Sequence, residues 1–171
     1  MTLVHDITKL GQSVWLDYIR RSFLEEGGLD GMVDLGVRGV TSNPSIFEKA
    51  IAGSDDYDAQ MGELVQQGVS VDEIYEALVL KDIAHAADVL RPVFDASNGE
   101  DGYVSLEVSP TLAHDTQGTL DDARRFFKKL DRPNVMIKVP ATPEGIPAVK
   151  TLISEGININ VTLMFSLEQY D

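Results

Sequence analysis

Lys138 stands in the middle of an apolar run, VMIKVP, at residues 135–140. Lysine is among the residues least often fully buried, because its ammonium loses hydration. A desolvated amine is more readily deprotonated and can attack a carbonyl carbon to form a Schiff base. A strand-end lysine can instead lay its stem on apolar surface and keep its charge in water. Schiff-base chemistry needs partners that move protons to and from a carbinolamine and a substrate hydroxyl. Asp17 and Glu107 are carboxylates of the right type, and Thr162 can position a water. Asn43 and Asn160 can hydrogen-bond hydroxyls. Each has a structural alternative. The two carboxylates could be ion partners of Lys138, and Thr162 a satisfied strand hydroxyl. Asn43, which precedes Pro44, could cap a helix opening PSIFEKAI.

Five strand-like runs must position these residues: SVWLDYI (13–19), VRGVTSN (37–43), GYVSLEVS (102–109), NVMIKVP (134–140) and ININVTLMF (157–165). Helical signals lie between them. TPEGIPAVKTLISEG has a threonine start, an apolar stripe and a closing glycine. TLDDARRFFKKL has acids in its first turn and bases in its last, which suits the helix dipole. The stretch 70–97 is long and amphipathic, and its Ser70 and Glu73 predict a capping box. At least two helices are expected between the second and third strands. This alternation predicts parallel strands joined by right-handed crossovers.

Strand parity sharpens the prediction, because successive side chains point to opposite faces. Val104, Leu106 and Val108 oppose Tyr103, Ser105, Glu107 and Ser109. Val135, Ile137 and Val139 oppose Met136 and Lys138. Ile157, Ile159, Val161 and Leu163 oppose Asn158, Asn160 and Thr162. Trp15 and Asp17 share one parity, and Thr41 and Asn43 share theirs with Gly39. A doubly wound sheet is covered on both faces and wants apolar strands throughout. One greasy and one polar face instead predict an (α/β) barrel, greasy side under helices and polar side inward. Asp17, Asn43, Glu107, Lys138 and Thr162 all fall late in their strands, on the inferred inward side. A purely structural interior would be apolar.

Composition excludes other chemistries. The chain has no cysteine, so it has no disulfide, thiolate ligand or cysteine nucleophile, and a cytoplasmic location is expected. His5, His85 and His114 are scattered and fit no paired ligand spacing, so no metal is expected. No Walker or dinucleotide glycine loop is present. The net charge of −14, with no basic cluster, argues against nucleic acid and anionic membranes as partners. No apolar run is long enough for a membrane span, and the N-terminus does not read as a secretory signal. With 171 residues, a single domain over 1–171 is expected.

Two stretches resemble transaldolase signatures: GVTSNPSIF (39–47) and VMIKVPATPEGIPAVKTL (135–152). SLEVSP (105–110) and NINVTLMFS (158–166) resemble the family's third- and fifth-strand segments. The resemblance implies that Lys138 is the Schiff-base lysine and that Glu107 is the acid/base working through a water. It implies that Thr162 holds that water and that Asp17 takes the proton in carbon–carbon cleavage. Asn43, Asn160 and Thr41 are then substrate contacts. The implied reaction moves a dihydroxyacetone unit from a ketose phosphate to an aldose phosphate, in the pentose phosphate pathway, without metal or cofactor. The fold implied is a partial (α/β)8 TIM barrel comprising the first five parallel strands.

A barrel of eight strands typically needs about 250 residues. The family's sixth-strand serine and phosphate-gripping arginine have no counterpart in these residues. The expectation is a truncated barrel that turns over little or no substrate alone. Two alternatives follow. One is an aldolase like fructose-6-phosphate aldolase, which releases the three-carbon unit. The other is a non-catalytic barrel fragment that self-associates through open sheet edges.

Overall fold

The computed structural model describes residues 3–171. The chain alternates helix and strand along its whole length, and the hydrogen-bonded strand order is β1-β2-β3-β4-β5. Its contacts divide it into two compact units, residues 1–104 and 105–171, with the boundary inside the third strand.

In the first unit, α1 (Leu3–Thr8) precedes β1 (Trp15–Leu16), α2 (Arg21–Glu25) and α3 (Gly28–Leu35). Next come β2 (Gly39–Thr41), α4 (Pro44–Ala52), α5 (Asp58–Gln66) and the long α6 (Val71–Ala96). β1 and β2 run parallel, with Trp15 opposite Gly39 and Leu16 opposite Val40. α6 starts at the expected capping box. Ser70 Oγ accepts from Glu73 N at 3.3 Å, and Ser70 N donates to Glu73 Oε2 at 2.9 Å. Its inner stripe, Leu78, Val79, Ile83, Ala86, Ala87 and Leu90, is fully buried, as a 3.6-residue period requires. Three helices, not the minimum of two, separate the second and third strands.

The second unit holds most of β3 (Tyr103–Glu107), then α7 (Thr116–Leu130), β4 (Val135–Pro140), α8 (Gly145–Ser154), β5 (Ile159–Thr162) and a final turn, α9 (Leu167–Tyr170). β4 and β5 are parallel, with Ile137 opposite Ile159, Lys138 opposite Asn160 and Pro140 opposite Thr162. Val108 N donates to Lys138 O, which ties the end of β3 to β4. Asp115 caps α7 by accepting from Gly118 N at 2.9 Å, and Lys128 and Lys129 lie in its last turn. The apolar parity is buried as predicted: Leu106, Val108, Val135, Ile137 and Val139. α7 packs against β4, and α8 packs against β4 and β5.

The strands are shorter than the sequence suggested. β2 stops at Thr41 because Asn43 turns the chain into α4, with Pro44 at the first helical position. β5 stops at Thr162 because Leu163 adopts φ +60°, a left-handed conformation that breaks the ladder. Ile159 and Val161 are half-buried, whereas Val104 and Ile137 are fully buried. Leu163, Phe165, Leu167 and Tyr170 are exposed. Among the described residues no helix is long and apolar enough to cross a membrane.

One surface carboxylate makes a testable link to stability. Arg20 Nε donates to Asp56 Oδ2 at 2.7 Å, and Ser22 N donates to the same oxygen at 3.2 Å. Arg20's side-chain hydrogen bond, then those from Ser22, hold Asp56 well below the usual carboxylate range. A lowered carboxylate stabilises the fold above its unfolded pKa, about 4, and the contribution is lost as pH falls further. Asp56→Asn should therefore lower the melting temperature at pH 7, by a deficit that narrows as pH falls from about 4 toward 2. Thermal melts across that range check the sign. An equal deficit at both ends would remove the ion-pair account.

Candidate active site

The second unit carries a polar face opposite its buried one. Lys138 projects from β4 and Glu107 from the end of β3, and Lys138 Nζ lies 3.5 Å from Glu107 Oε2. Their side chains retain only 13% and 15% of their exposure. The neighbours Ile137 and Val139 are fully buried on the other side of the same strand. The lysine is therefore not a strand-end residue reaching bulk water. Its ammonium sits in a partly desolvated position beside a carboxylate.

That pairing has a chemical consequence. An ammonium is not a nucleophile. Transfer of its proton to Glu107 yields a neutral amine and a carboxylic acid side by side. The amine can add to a carbonyl, and the acid can then protonate the departing hydroxyl of the carbinolamine. The ion-pair reading of Glu107 and its acid/base reading describe the same contact before and after proton transfer.

β5 extends this face. Asn160 sits opposite Lys138 in the ladder, and its Nδ2 donates to Ser105 Oγ at 3.3 Å. The bond spans from β5 to β3, so the amide passes over β4 on the lysine's side. Ser105 is fully buried. It was not singled out from the sequence, although its parity with Glu107 placed it on this face. Thr162 lies one strand step beyond Asn160 on the same parity, opposite Pro140, and is half-buried. Its carbonyl accepts from Ala141 N at 2.8 Å, which fixes the end of β5 to the turn leaving β4.

That turn is also pinned. Thr142 Oγ1 accepts from Gly145 N at 2.9 Å and donates to Ala113 O at 2.6 Å. Thr116 Oγ1 donates to Glu144 O at 2.7 Å. The turn is too tight for a side chain at 145, where a Cβ would come within 2.1 Å of Pro140 O. The glycine of TPEG thus lets α8 begin directly after the lysine strand. Glu144 is held below the usual carboxylate range, by a hydrogen bond to its own backbone and then by His114. His114 Nδ1 lies 3.2 Å from Glu144 Oε2 in an exposed loop, and His85 is on α6. Among the described residues no group of three or more His, Asp or Glu could hold a metal ion.

The remaining residues singled out from the sequence belong to the first unit. Asp17 follows β1 directly and is exposed, and Thr41 is the last residue of β2. Each stands one position past the ladder pair Leu16 and Val40. Asn43 is the N-cap of α4, accepting from Ile46 N at 3.0 Å through Oδ1. The helix-cap role is therefore real. It occupies Oδ1 and leaves the Nδ2 amide group for other use. Gly39 accommodates Trp15. A Cβ at 39 would meet the indole at 2.4 Å, so the glycine of GVTSNP lets the Trp15 ring lie across the strand.

A family description, transaldolase/fructose-6-phosphate aldolase, matches residues 14–171. The chain belongs to this family. It is 52% identical over 166 residues to Transaldolase 2 of Nostoc punctiforme, covering 96% of this chain and 44% of that protein. It is 52% identical over 170 residues to a transaldolase of Thiobacillus denitrificans, covering 99% and 47%. With a transaldolase of Thermobifida fusca it shares 51% over 168 residues, covering 98% and 46%. The chain thus spans less than half the length of these transaldolase relatives. The family match includes both strands of the Lys138–Glu107 pair and the partial-barrel order of five parallel strands.

Proposed function

We propose that this chain carries the Schiff-base chemistry of a transaldolase. The observation that supports it best is the partly desolvated Lys138 held 3.5 Å from Glu107 on the polar face of a parallel sheet. In this reading Lys138 Nζ attacks the C2 carbonyl of a ketose phosphate. Glu107 protonates the carbinolamine hydroxyl, water leaves, and an iminium remains. Asp17 takes the C4 hydroxyl proton as the C3–C4 bond breaks, and an aldose phosphate departs. The electrons of the broken bond flow into the iminium, leaving an enamine on Lys138. The enamine then adds to the carbonyl of a second aldose phosphate. Asn160, Asn43 and Thr41 hydrogen-bond substrate hydroxyls, and Thr162 places the water that serves Glu107. The substrates are sugar phosphates, and no cofactor enters.

The family description also covers fructose-6-phosphate aldolase, which supports a second reading. In that case the enamine is protonated and hydrolysed, and free dihydroxyacetone is released. Incubation with fructose 6-phosphate and an aldose phosphate acceptor separates the two. Transfer gives a longer ketose phosphate, and aldol cleavage gives dihydroxyacetone whether or not an acceptor is present.

Glu107 supplies a further test. Glu107→Gln keeps the shape but can neither take the proton of Lys138 nor return one. Reductive trapping of fructose 6-phosphate on the protein should slow about 10²- to 10⁴-fold, the range for loss of a general acid–base group. Trapping at the wild-type rate would remove Glu107 from the mechanism. The β5 edge, with exposed Leu163 and Phe165 beyond it, is where a second copy of this chain would pair. Light scattering should then give a mass above 18.7 kDa.

A further inference from the structure

We infer that Asp56 is the positioning residue for Asp17, acting as a distant clamp on the segment that follows β1. The inference rests on the proton-acceptor role proposed for Asp17. Before Asp17 the chain is fixed by the parallel ladder, and Arg38 N donates to Val14 O at 2.8 Å. Asp17 and Tyr18 then run exposed. Ile19 is fully buried, and from Arg20 onward every residue to Ser22 is gripped from outside its own element.

The grip comes from two consecutive residues just before α5. Asp56 accepts from Arg20 Nε at 2.7 Å, from Arg20 Nη2 at 3.3 Å and from Ser22 N at 3.2 Å. Tyr57 Oη accepts from Arg21 N at 3.1 Å and donates to Asp82 at 2.9 Å. Asp82 in turn accepts from Arg21 Nε at 2.8 Å. Three successive residues after Asp17 are thus held by a segment more than thirty positions away.

The clamp replaces a device that helices normally supply locally. The first N–H groups of a helix lack intrahelical acceptors, and an N-cap side chain usually serves them. The N-cap of α2 is Arg20, whose side chain makes no capping bond. Asp56 supplies the missing acceptor to Ser22 N and neutralises Arg20 at the same time. A local cap would fix only the shape of the turn. A remote cap fixes where the turn sits relative to α5. Asp17 is therefore suspended between the β1–β2 ladder on one side and the Asp56 clamp on the other. Arg20 keeps Asp56 ionised well below neutrality, so the clamp does not release across the physiological range.

Asp56→Ala in the full 171-residue chain tests this. Schiff-base formation at Lys138 does not use Asp17, whereas carbon–carbon cleavage does. Borohydride trapping with fructose 6-phosphate should therefore stay within about twofold of wild type. Cleavage should fall about tenfold to a hundredfold, the scale on which small misplacements of reacting groups act. Asp56→Glu should recover part of it. Unchanged cleavage, or equal loss of trapping and cleavage, overturns the inference. Should the wild-type chain itself neither trap nor cleave, the functional reading fails instead. Amide exchange then decides the clamp, and it decides it equally if the chain traps without cleaving. Protection of the Ser22 amide, which donates to Asp56, should be lost in Asp56→Ala while that of β2 and α6 persists. Unaltered exchange there overturns the inference.

Discussion

Replacing Lys138 with methionine should abolish covalent capture of a ketose phosphate. Borohydride reduction in the presence of fructose 6-phosphate should add one adduct to the wild-type chain, on the peptide containing residues 135–140: the mass of the ketose phosphate, or of dihydroxyacetone after cleavage, less one water and plus two hydrogens. Lys138→Met should gain none, and any turnover should fall on the order of a thousandfold or more, as removal of a covalent nucleophile does. Methionine is the informative substitution because it keeps the unbranched stem and removes only the amine. It also leaves Glu107 with 15% of its side-chain exposure and without the ammonium 3.5 Å away. The variant should therefore lose modest stability, since a partly buried carboxylate is left without its cation, and a thermal melt separates this from the chemical effect. Mass added to another lysine, with Lys138→Met still active, would sink the assignment.

The lysine was legible in the sequence because strand parity is a strict period of two. Once Val135, Ile137 and Val139 are buried, Lys138 has only one face to occupy, and Ser105, Glu107, Asn160 and Thr162 follow by the same count. A helix start written in local chemistry was legible too, in Ser70 with Glu73 at the head of α6. Strand ends were not. Nothing in VTLMFS (161–166) announces that Leu163 takes φ +60°, since leucine rarely adopts that conformation without tertiary support. Asn43 shows a different limit. A residue before proline can cap a helix and face a ligand at once, so one atom's assignment leaves the other atom's open. Least legible were contacts between residues far apart in sequence. No local pattern around Arg20 and Arg21 reveals that one meets Asp56 and the other Asp82.

That second contact should carry a large stability effect, because both of its charges are buried. The side chains of Arg21 and Asp82 keep 5% and 2% of their exposure and meet at 2.8 Å. The remaining guanidinium groups donate to Gln60 Oε1 at 2.5 Å and Leu78 O at 3.3 Å, and the guanidinium carbon lies 4.7 Å from the centre of the Tyr57 ring. Each guanidinium nitrogen and each carboxylate oxygen of the pair thus has a partner, which is the condition for a buried ion pair to be tolerated. Burial nevertheless pushes Asp82 up, against the opposing pull of Arg21 and Tyr57. Desolvation is the dominant cost, and neutrality of the cluster is what keeps it affordable. Arg21→Ala leaves Asp82 buried without its cation and should cost about 3–5 kcal/mol, lowering the melting temperature by roughly 10 °C. Asp82→Ala should cost a similar amount from the other side. Removing both charges together, as Arg21→Met with Asp82→Leu, should cost less than the sum and less than either single change, because no uncompensated charge remains. The pH dependence has the opposite sign to that of Asp56. A raised carboxylate binds its proton more readily folded than unfolded, so the penalty of Arg21→Ala should shrink as pH falls through the raised Asp82 pKa. Denaturant melts of the two single variants and the double variant at pH 7 and pH 4.5 provide the measurement. A double variant as unstable as the sum of the singles would show that packing, not charge, sets the energy of this cluster.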